Sequence, residues 1–75
     1  MLKAYVLINT ELGYEEQVIT ELESVKDVLN IYQVYGIYDL IVEIETDTND
    51  DFKKIVVEKI RPISNVKNSI TLITY

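Results

Sequence analysis

The stretch Gly36-Ile37-Tyr38-Asp39 brings a glycine, a phenol and a carboxylate within four residues. The Asp39 carboxylate can accept hydrogen bonds from an ammonium group, and neighbouring backbone amides can hold a carboxylate. Gly36 permits the positive φ that a sharp reversal between two strands requires. The stretch is therefore open to two interpretations: an ordinary hairpin in which Asp39 bonds the local backbone, or part of a small-ligand pocket at a subunit boundary.

The remaining ionisable residues do not form a recognisable catalytic or metal-binding pattern. The chain has no histidine and no cysteine, which removes imidazole bases, thiolate nucleophiles and the common zinc ligands. An acidic group lacks the spacing and the glycine of a calcium-binding loop, so a solvated strand face and helix capping are favoured for it. We predict no catalytic residues, no metal and no cofactor. The acidic group consists of Glu43, Glu45, Asp47, Asp50 and Asp51.

Composition limits the chain to one small acidic domain, residues 1–75. Its 75 residues carry 7 basic and 13 acidic side chains, a net charge of −6 that disfavours direct contact with nucleic acid. No apolar run approaches the ~18–20 residues of a membrane span. Met1 leads directly into a strand pattern without a signal-peptide cleavage site, so a cytoplasmic location is expected.

Periodicity predicts four strands and two helices. Tyr38–Glu45 alternates with a period of two, as a half-buried strand does, and Thr48 with Asp51 resembles the capping pair of a second helix. Pro62 lacks the amide that a continuing helix needs, so this helix should stop by Arg61. The other predicted elements are strands over Leu2–Asn9, Val28–Tyr35 and Val66–Tyr75, and a first helix from about Tyr14 to Ser24.

The order βαββαβ predicts a ferredoxin-like α+β sandwich, with a four-stranded antiparallel sheet and both helices on one face. Alternation then leaves a second apolar sheet face without helices, where polar residues would be expected. We predict a dimer in which the sheets of two copies meet face to face through this surface or edge to edge. Strand two contributes either Ile31 and Tyr35 or Tyr32 and Val34 to this surface. The other predicted members are Tyr5, Leu7, Ile41, Ile73 and Tyr75, with Val66, Ile70 and Leu72 facing the helices instead.

Two segments carry a family resemblance. Val34-x-Gly36-x-Tyr38-Asp39-Leu40, followed by an acidic loop, an amphipathic helix and a final Val66-x-x-Ser69-x-Thr71 strand, resembles the effector-binding domain of the Lrp/AsnC (feast/famine) transcription regulators. In full-length members this domain follows a helix-turn-helix DNA-binding domain. Because Met1 opens directly into strand one, the chain looks like the stand-alone RAM-domain form.

The resemblance implies dimers paired through their sheets, rings of dimers (often octamers), and amino-acid effectors bound between adjacent dimers. We expect such a module to act through assembly with itself or with full-length relatives that bind DNA. Gly36, Tyr38 and Asp39 match the turn that lines the effector pocket, and Ser69 and Thr71 match polar positions of the final strand. Many relatives have an acidic or polar residue where this chain has Ile37, which leaves the effector's identity open.

Three alternatives to this amino-acid sensor remain. The chain could be a purely structural oligomerisation domain, an ACT-type amino-acid-binding regulatory domain, or a small enzyme of the dimeric-barrel type. The segment Thr10-Glu11-Leu12-Gly13 is a poor match to the glycine-rich loop of the ACT type, and the absence of histidine disfavours the enzyme. The leading prediction is a non-enzymatic sensing module.

Overall fold

Four strands form one antiparallel sheet in the computed structural model, which describes residues 2–74 of the chain. The strands lie in the order β2-β3-β1-β4, so the chain returns to place β1 at the centre beside β3. The predicted ferredoxin-like βαββαβ fold is confirmed. The bounds are β1 Leu2–Thr10, α1 Glu15–Glu23, β2 Val28–Gln33, β3 Leu40–Thr46, α2 Asn49–Ile55 and β4 Val66–Thr74, with one π-helical turn, Val56–Ile60, continuing α2.

The hydrophobic core lies between the sheet and the two helices. Phe52, at 1% exposure, is the largest fully buried side chain and packs with Val18 and Leu22 of α1 in one cluster. Every second residue of the two central strands points into this layer, as the alternation predicts. The strand residues of the core are Ala4, Val6, Ile8, Leu40, Val42 and Ile44, and the other helical members are Ile55, Val56 and Ile60.

The second helix begins and ends as predicted, but its last turn is wider than an α-helix. Thr48 is extended (φ −136°, ψ 159°) and its hydroxyl accepts from the Asp51 amide at 3.3 Å, which caps the helix. At the other end the Arg61 amide donates to the Val56 carbonyl, five residues back, at 2.8 Å. Such π-turns are rare in helices and occur frequently at functional sites.

The connection between β2 and β3 is longer than predicted. β2 ends at Gln33 rather than Tyr35 and β3 begins at Leu40 rather than Tyr38, which leaves the six-residue loop 34–39. Its base is closed by the Val34 amide, which donates to the Asp39 carbonyl at 2.9 Å. The Asp39 amide donates instead to the Ile8 carbonyl of β1 at 3.0 Å, so the loop is tied to its neighbouring strand. Gly36 has the predicted positive φ, at +147°.

The predicted faces of β4 were wrong for most of the strand. Thr71 pairs with Val6 and Ile73 with Ala4, so these two β4 residues face the helices, while Ile70 and Leu72 face away. Val66 does pack against the core as predicted. The cause is a bulge: Asn68 pairs with Asn9 but Val66 pairs with Thr10, so Lys67 is extra and the alternation inverts after it. Tyr75 lies outside the described residues.

The sheet face away from the helices is nevertheless apolar. Tyr32 pairs with Ile41, which resolves the two alternatives for strand two in favour of Tyr32. Tyr32, Ile70 and Leu72 are each about half exposed, at 49%, 48% and 52%. We call this surface the outer face. Its apolar members, aligned by the strand register, are Tyr5, Leu7, Tyr32, Ile41, Ile70 and Leu72.

Because so small a core depends on its largest side chain, we expect Phe52→Ala to lower the free energy of unfolding by about 3–5 kcal/mol. That is a large share of the about 5–15 kcal/mol that stabilises an ordinary domain. The matched control is Leu12→Ala, which truncates a side chain that is 93% exposed and should change little. Urea denaturation measures both. Equal losses in the two variants would contradict the placement of Phe52.

Candidate functional site

The loop 34–39 is fastened to the end of β1 by both backbone and side chains. Asp39 accepts a hydrogen bond through Oδ2 from the Thr10 amide at 2.9 Å. Asn9 Nδ2 donates to the Ile37 carbonyl at 2.6 Å. These two contacts hold the loop in one position relative to the sheet, since each joins residues about 28 positions apart in the chain. Asn9 and Thr10 were missed by the sequence analysis because their spacing to the loop carries no local signal.

The side chains of the loop 34–39 differ in their exposure to solvent. Tyr38 and Asp39 are partly buried, whereas Tyr35 is 100% exposed and Ile37 is 87% exposed. Within residues 2–74 the hydrogen bonding of the Asp39 side chain involves Oδ2 alone. The second carboxylate oxygen therefore remains available to a donor that arrives from outside this part of the chain.

Thr10 adds a second polar group beside Asp39. Its side chain is 5% exposed, and its hydroxyl oxygen has no hydrogen-bond partner among residues 2–74. Burying a hydroxyl without a partner costs about 1–3 kcal/mol. The corner between β1 and the loop thus contains a carboxylate with one uncommitted oxygen, bound to the amide of a residue whose buried hydroxyl has no partner among residues 2–74.

Ser69 and Thr71, the two predicted ligand-binding residues of β4, lie on the side of β1 opposite to β3 and the loop 34–39. Ser69 pairs with Ile8 and Thr71 with Val6, so two strand spacings, about 10 Å, separate them from the loop 34–39. Both lie next to Arg61, each in a separate cleft. Gly36, Tyr38 and Asp39 therefore lie together in the loop 34–39, whereas Ser69 and Thr71 form a second group on β4. Among residues 2–74 none of the clefts found joins the two groups.

A polar network interrupts the outer face at Glu43. Glu43 is only 6% exposed, which corrects the expectation of a solvated position, because three neighbouring side chains cover and bind its carboxylate. Asn30 Nδ2 donates to Oε1 at 2.8 Å, Lys3 Nζ lies 3.3 Å from Oε2, and the Tyr5 hydroxyl donates to Oε2 at 3.4 Å. The Asn30 hydrogen bond, aided by Lys3, lowers the pKa of Glu43. Its hydrogen bond to Glu43 in turn raises the pKa of Lys3.

Residues 2–74 contain neither a metal-binding group nor a membrane-spanning helix. Across residues 2–74 no group of three or more acidic side chains is arranged to hold a metal ion. An acidic cleft of about 550 Å³ beside α2 includes Asp27, whose carboxylate pairs with Lys59 Nζ at 3.3 Å. In the same part of the chain, neither helix has the length and apolar character needed to cross a membrane.

Comparison with known proteins identifies the class. The family model of the Lrp/AsnC ligand binding domain matches residues 3–75. The crystal structure of FFRP-DM1 is 39% identical, with all of both chains covered and a TM-score of 0.94. The hypothetical protein PHS023 from Pyrococcus horikoshii is also 39% identical, over 100% of this chain and 90% of that one, with a TM-score of 0.92. The comparison with curated proteins gives no match.

A more distant structure contains a ligand. The transcriptional regulator NMB0573 from Neisseria meningitidis was solved as a complex with L-Met. It is 13% identical over 99% of this chain and 49% of that one, with a TM-score of 0.90, so the likeness is one of fold. The match over nearly the whole length places the present chain in the Lrp/AsnC ligand binding domain family, a family of transcription regulation. This confirms the resemblance drawn from the loop 34–40 and the β4 motif.

The Glu43 network should make stability depend on pH in the acidic range. Because the pKa of Glu43 is lower in the folded chain than its usual 4.5, its contribution is present above about pH 4.5 and is lost as the pH falls through the folded value. We therefore expect Glu43→Gln to destabilise the protein at pH 7, and we expect the gap to wild type to close progressively as the pH falls below 4.5, measured by urea denaturation. Asn30→Ala should weaken this pH dependence more than Lys3→Met does, and the reverse order would contradict the assigned cause.

Proposed function

We propose that this chain, as one module over residues 1–75, is a non-enzymatic sensor of an amino acid or a similar small metabolite. In this proposal the ligand binds at a boundary between copies of the chain, and Asp39 accepts from its ammonium group. The observation that carries the proposal is the corner at Asp39, where a loop fixed to β1 retains one uncommitted carboxylate oxygen in a chain of the Lrp/AsnC ligand binding family.

The chemistry of the corner suits an α-amino acid. A carboxylate with a free oxygen is an acceptor for an ammonium group, and a charge-assisted bond of this kind is roughly twice as strong as a neutral one. The complex of the Neisseria regulator with L-Met supports an amino acid as the ligand class. The side chain that this protein selects does not follow from these residues.

Assembly is the second part of the proposal. The outer face carries six apolar side chains on the sheet side opposite the helices, and exposed apolar surface of this kind marks an interaction surface. We propose that two copies pair through this face and that such dimers assemble further into rings. Pairing would bury the Glu43 carboxylate together with the Asn30, Lys3 and Tyr5 side chains that bind it within each copy.

A regulatory mechanism follows from linkage. A ligand that bridges two copies binds the assembled state more tightly than the separate one, and it shifts the equilibrium by that difference in affinity. Co-assembly with longer family members that bind DNA would pass the shift to transcription. Direct contact with nucleic acid is disfavoured by the net charge of −6.

One observation favours a second candidate, a structural oligomerisation domain that has no ligand. The Asp39 Oδ2 bond to the Thr10 amide accounts for the aspartate as a loop anchor without any binding role. A thermal-shift screen of the twenty amino acids separates the two candidates. A ligand at 100 times its Kd adds about 2.7 kcal/mol to the free energy of unfolding by mass action, whereas a structural domain gives no shift.

Two substitutions of Asp39 separate its role as a loop anchor from its proposed role as a ligand acceptor. Asp39→Asn keeps a side-chain oxygen for the Thr10 amide but removes the negative charge, so we expect a near-native melting temperature and at least a tenfold loss of amino-acid affinity by calorimetric titration. Asp39→Ala removes both and should also lower the melting temperature. Asp39→Asn with unchanged affinity for the amino acid identified in the screen would refute the assigned role.

A further inference from the structure

The strand β4 lies at one edge of the sheet and has room for a further strand beside it. Within residues 2–74 it pairs with β1 alone, because the strand order is β2-β3-β1-β4. In an antiparallel pair, every second residue of an edge strand directs its backbone N–H and C=O groups away from its neighbour. Residues 68–74 pair with β1 in unbroken register, so they offer such groups over about 23 Å.

The two edges of the sheet differ in how they are protected against strand addition. Natural edges are protected by bulges, prolines, charged side chains or short length. The other edge strand, β2, has only six residues and is interrupted at Leu29, which has no partner on β3 between Val28 and Asn30. Residues 68–74 of β4 contain no charged residue, no proline and no glycine. β4 is therefore the edge that can accept a strand.

An apolar groove of about 240 Å³ lies beside this edge, between β4 and the second helix. Phe52 and Val56 form its buried floor, and Val57 at its rim is 52% exposed. The strand contributes Thr71 and Ile73 to the lining. Extended peptides add to exposed sheet edges through main-chain hydrogen bonds, and pockets for alternate side chains give specificity. The groove provides a pocket of this kind next to the open edge.

Three exposed cations follow the same edge. Lys53 and Arg61 line the groove, and Arg61 and Lys67 line a neighbouring cleft of about 340 Å³. The ion pairs found in residues 2–74 involve other lysines, so none of these three has a carboxylate oxygen within 4.0 Å there. In a chain with a net charge of −6, unpaired cations beside an apolar floor favour an occupant that is both apolar and acidic. We call this surface the basic groove.

A second copy of the same chain does not suit this edge. Two-fold pairing of β4 with β4 would bring two sets of Lys53, Arg61 and Lys67 to one seam, and such like charges repel. The only charged residue of β4 is Lys67, so the strand supplies no carboxylate to compensate. The charges therefore favour an acidic segment of a different protein over a second copy.

We propose that the basic groove and the open edge of β4 bind an extended segment of another protein, in which acidic residues flank alternating apolar ones. The segment adds to the sheet as a fifth strand. Its apolar side chains on the helix side enter the groove, and its acidic side chains face Arg61 and Lys53. Strand addition extends the sheet sideways and leaves the outer face uncovered, so this inference does not depend on the sensor or on pairing of the sheets.

The probe is a synthetic heptapeptide, Glu-Thr-Val-Thr-Ile-Thr-Glu, with blocked ends and a fluorescent label. In an extended conformation its two glutamates, valine and isoleucine lie on one face, as the groove requires. Fluorescence anisotropy measures its binding to the intact protein, and we expect saturation with a Kd below about 1 mM. A control peptide with lysine in place of both glutamates should bind about tenfold more weakly or worse.

Charge reversal at the groove tests where the peptide binds. We expect Arg61→Glu to weaken binding of the acidic peptide by about tenfold or more and to strengthen binding of the lysine peptide. Lys54→Glu is the matched control, because Lys54 is next to Lys53 in α2 but lines the acidic cleft instead, and it should bind like wild type. Circular dichroism verifies folding, and Lys53→Glu replaces Arg61→Glu if the latter is unfolded.

Amide hydrogen exchange, followed by NMR, tests strand addition itself. Within residues 68–74 we expect the amides directed away from β1 to exchange about tenfold more slowly or less when the acidic peptide is saturating, while those at the β2 edge stay unchanged. Binding without this protection would overturn the inference, because the occupant would then not be a strand. Protection of the same amides in the peptide-free protein would also overturn it, since a second copy would already cover the edge.

The binding data provide three further grounds for rejection. The inference falls if the acidic peptide shows no saturable binding up to about 1 mM. It falls if the lysine peptide binds wild type as tightly as the acidic one. It also falls if Lys54→Glu weakens binding as much as Arg61→Glu, because the effect would then reflect net charge alone.

Discussion

The constraint on which the structure depends is that its central strand, β1, is apolar on both faces while helices cover only one. Ala4, Val6 and Ile8 pack under α1 and α2, whereas Tyr5 and Leu7 point to the opposite side. A chain of this length buries only about 60–65% of the surface it exposes when unfolded, so it has little apolar area to leave in water. Pairing through the outer face would cover what the helices leave open.

The same strand also fixes the candidate site. The end of β1 carries both ties to the loop 34–39: the Thr10 amide to Asp39 and the Asn9 side chain to Ile37. Folding of the sheet therefore positions the aspartate before any ligand arrives, and such preorganisation lowers the entropy cost of binding. In this account stability, assembly and recognition all depend on residues of a single nine-residue strand.

Much of the fold could be predicted from the sequence because its signals are local. The Thr48 cap, the stop before Pro62 and the alternation of β3 each depend on residues within a few positions of one another. The faces of β4 could not be predicted, because its run of Ile and Leu is apolar on both sides and the inversion arises from a bulge at Lys67. The sequence of a strand does not reveal which of its residues will be left without a partner on the neighbouring strand.

The candidate site was predictable to a smaller extent. The turn glycine and the aspartate carry a recognisable motif, but the partner of the Asp39 side chain, the Thr10 amide, is 29 residues away in the chain. Glu43 is covered by three side chains from two other strands, β1 and β2. Non-local contacts of this kind follow from the strand register. The family match shows a ligand-binding domain, whereas the separation of Asp39 and Thr71 on opposite sides of β1 emerges only from the sheet topology.

The central claim, that the outer face is an interface, is tested most directly by sedimentation equilibrium of the unmodified protein from low micromolar to millimolar concentration. The account predicts that no species as small as 8.7 kDa is populated over most of this range. A single species of one-chain mass, soluble and folded at the highest concentration, would contradict it.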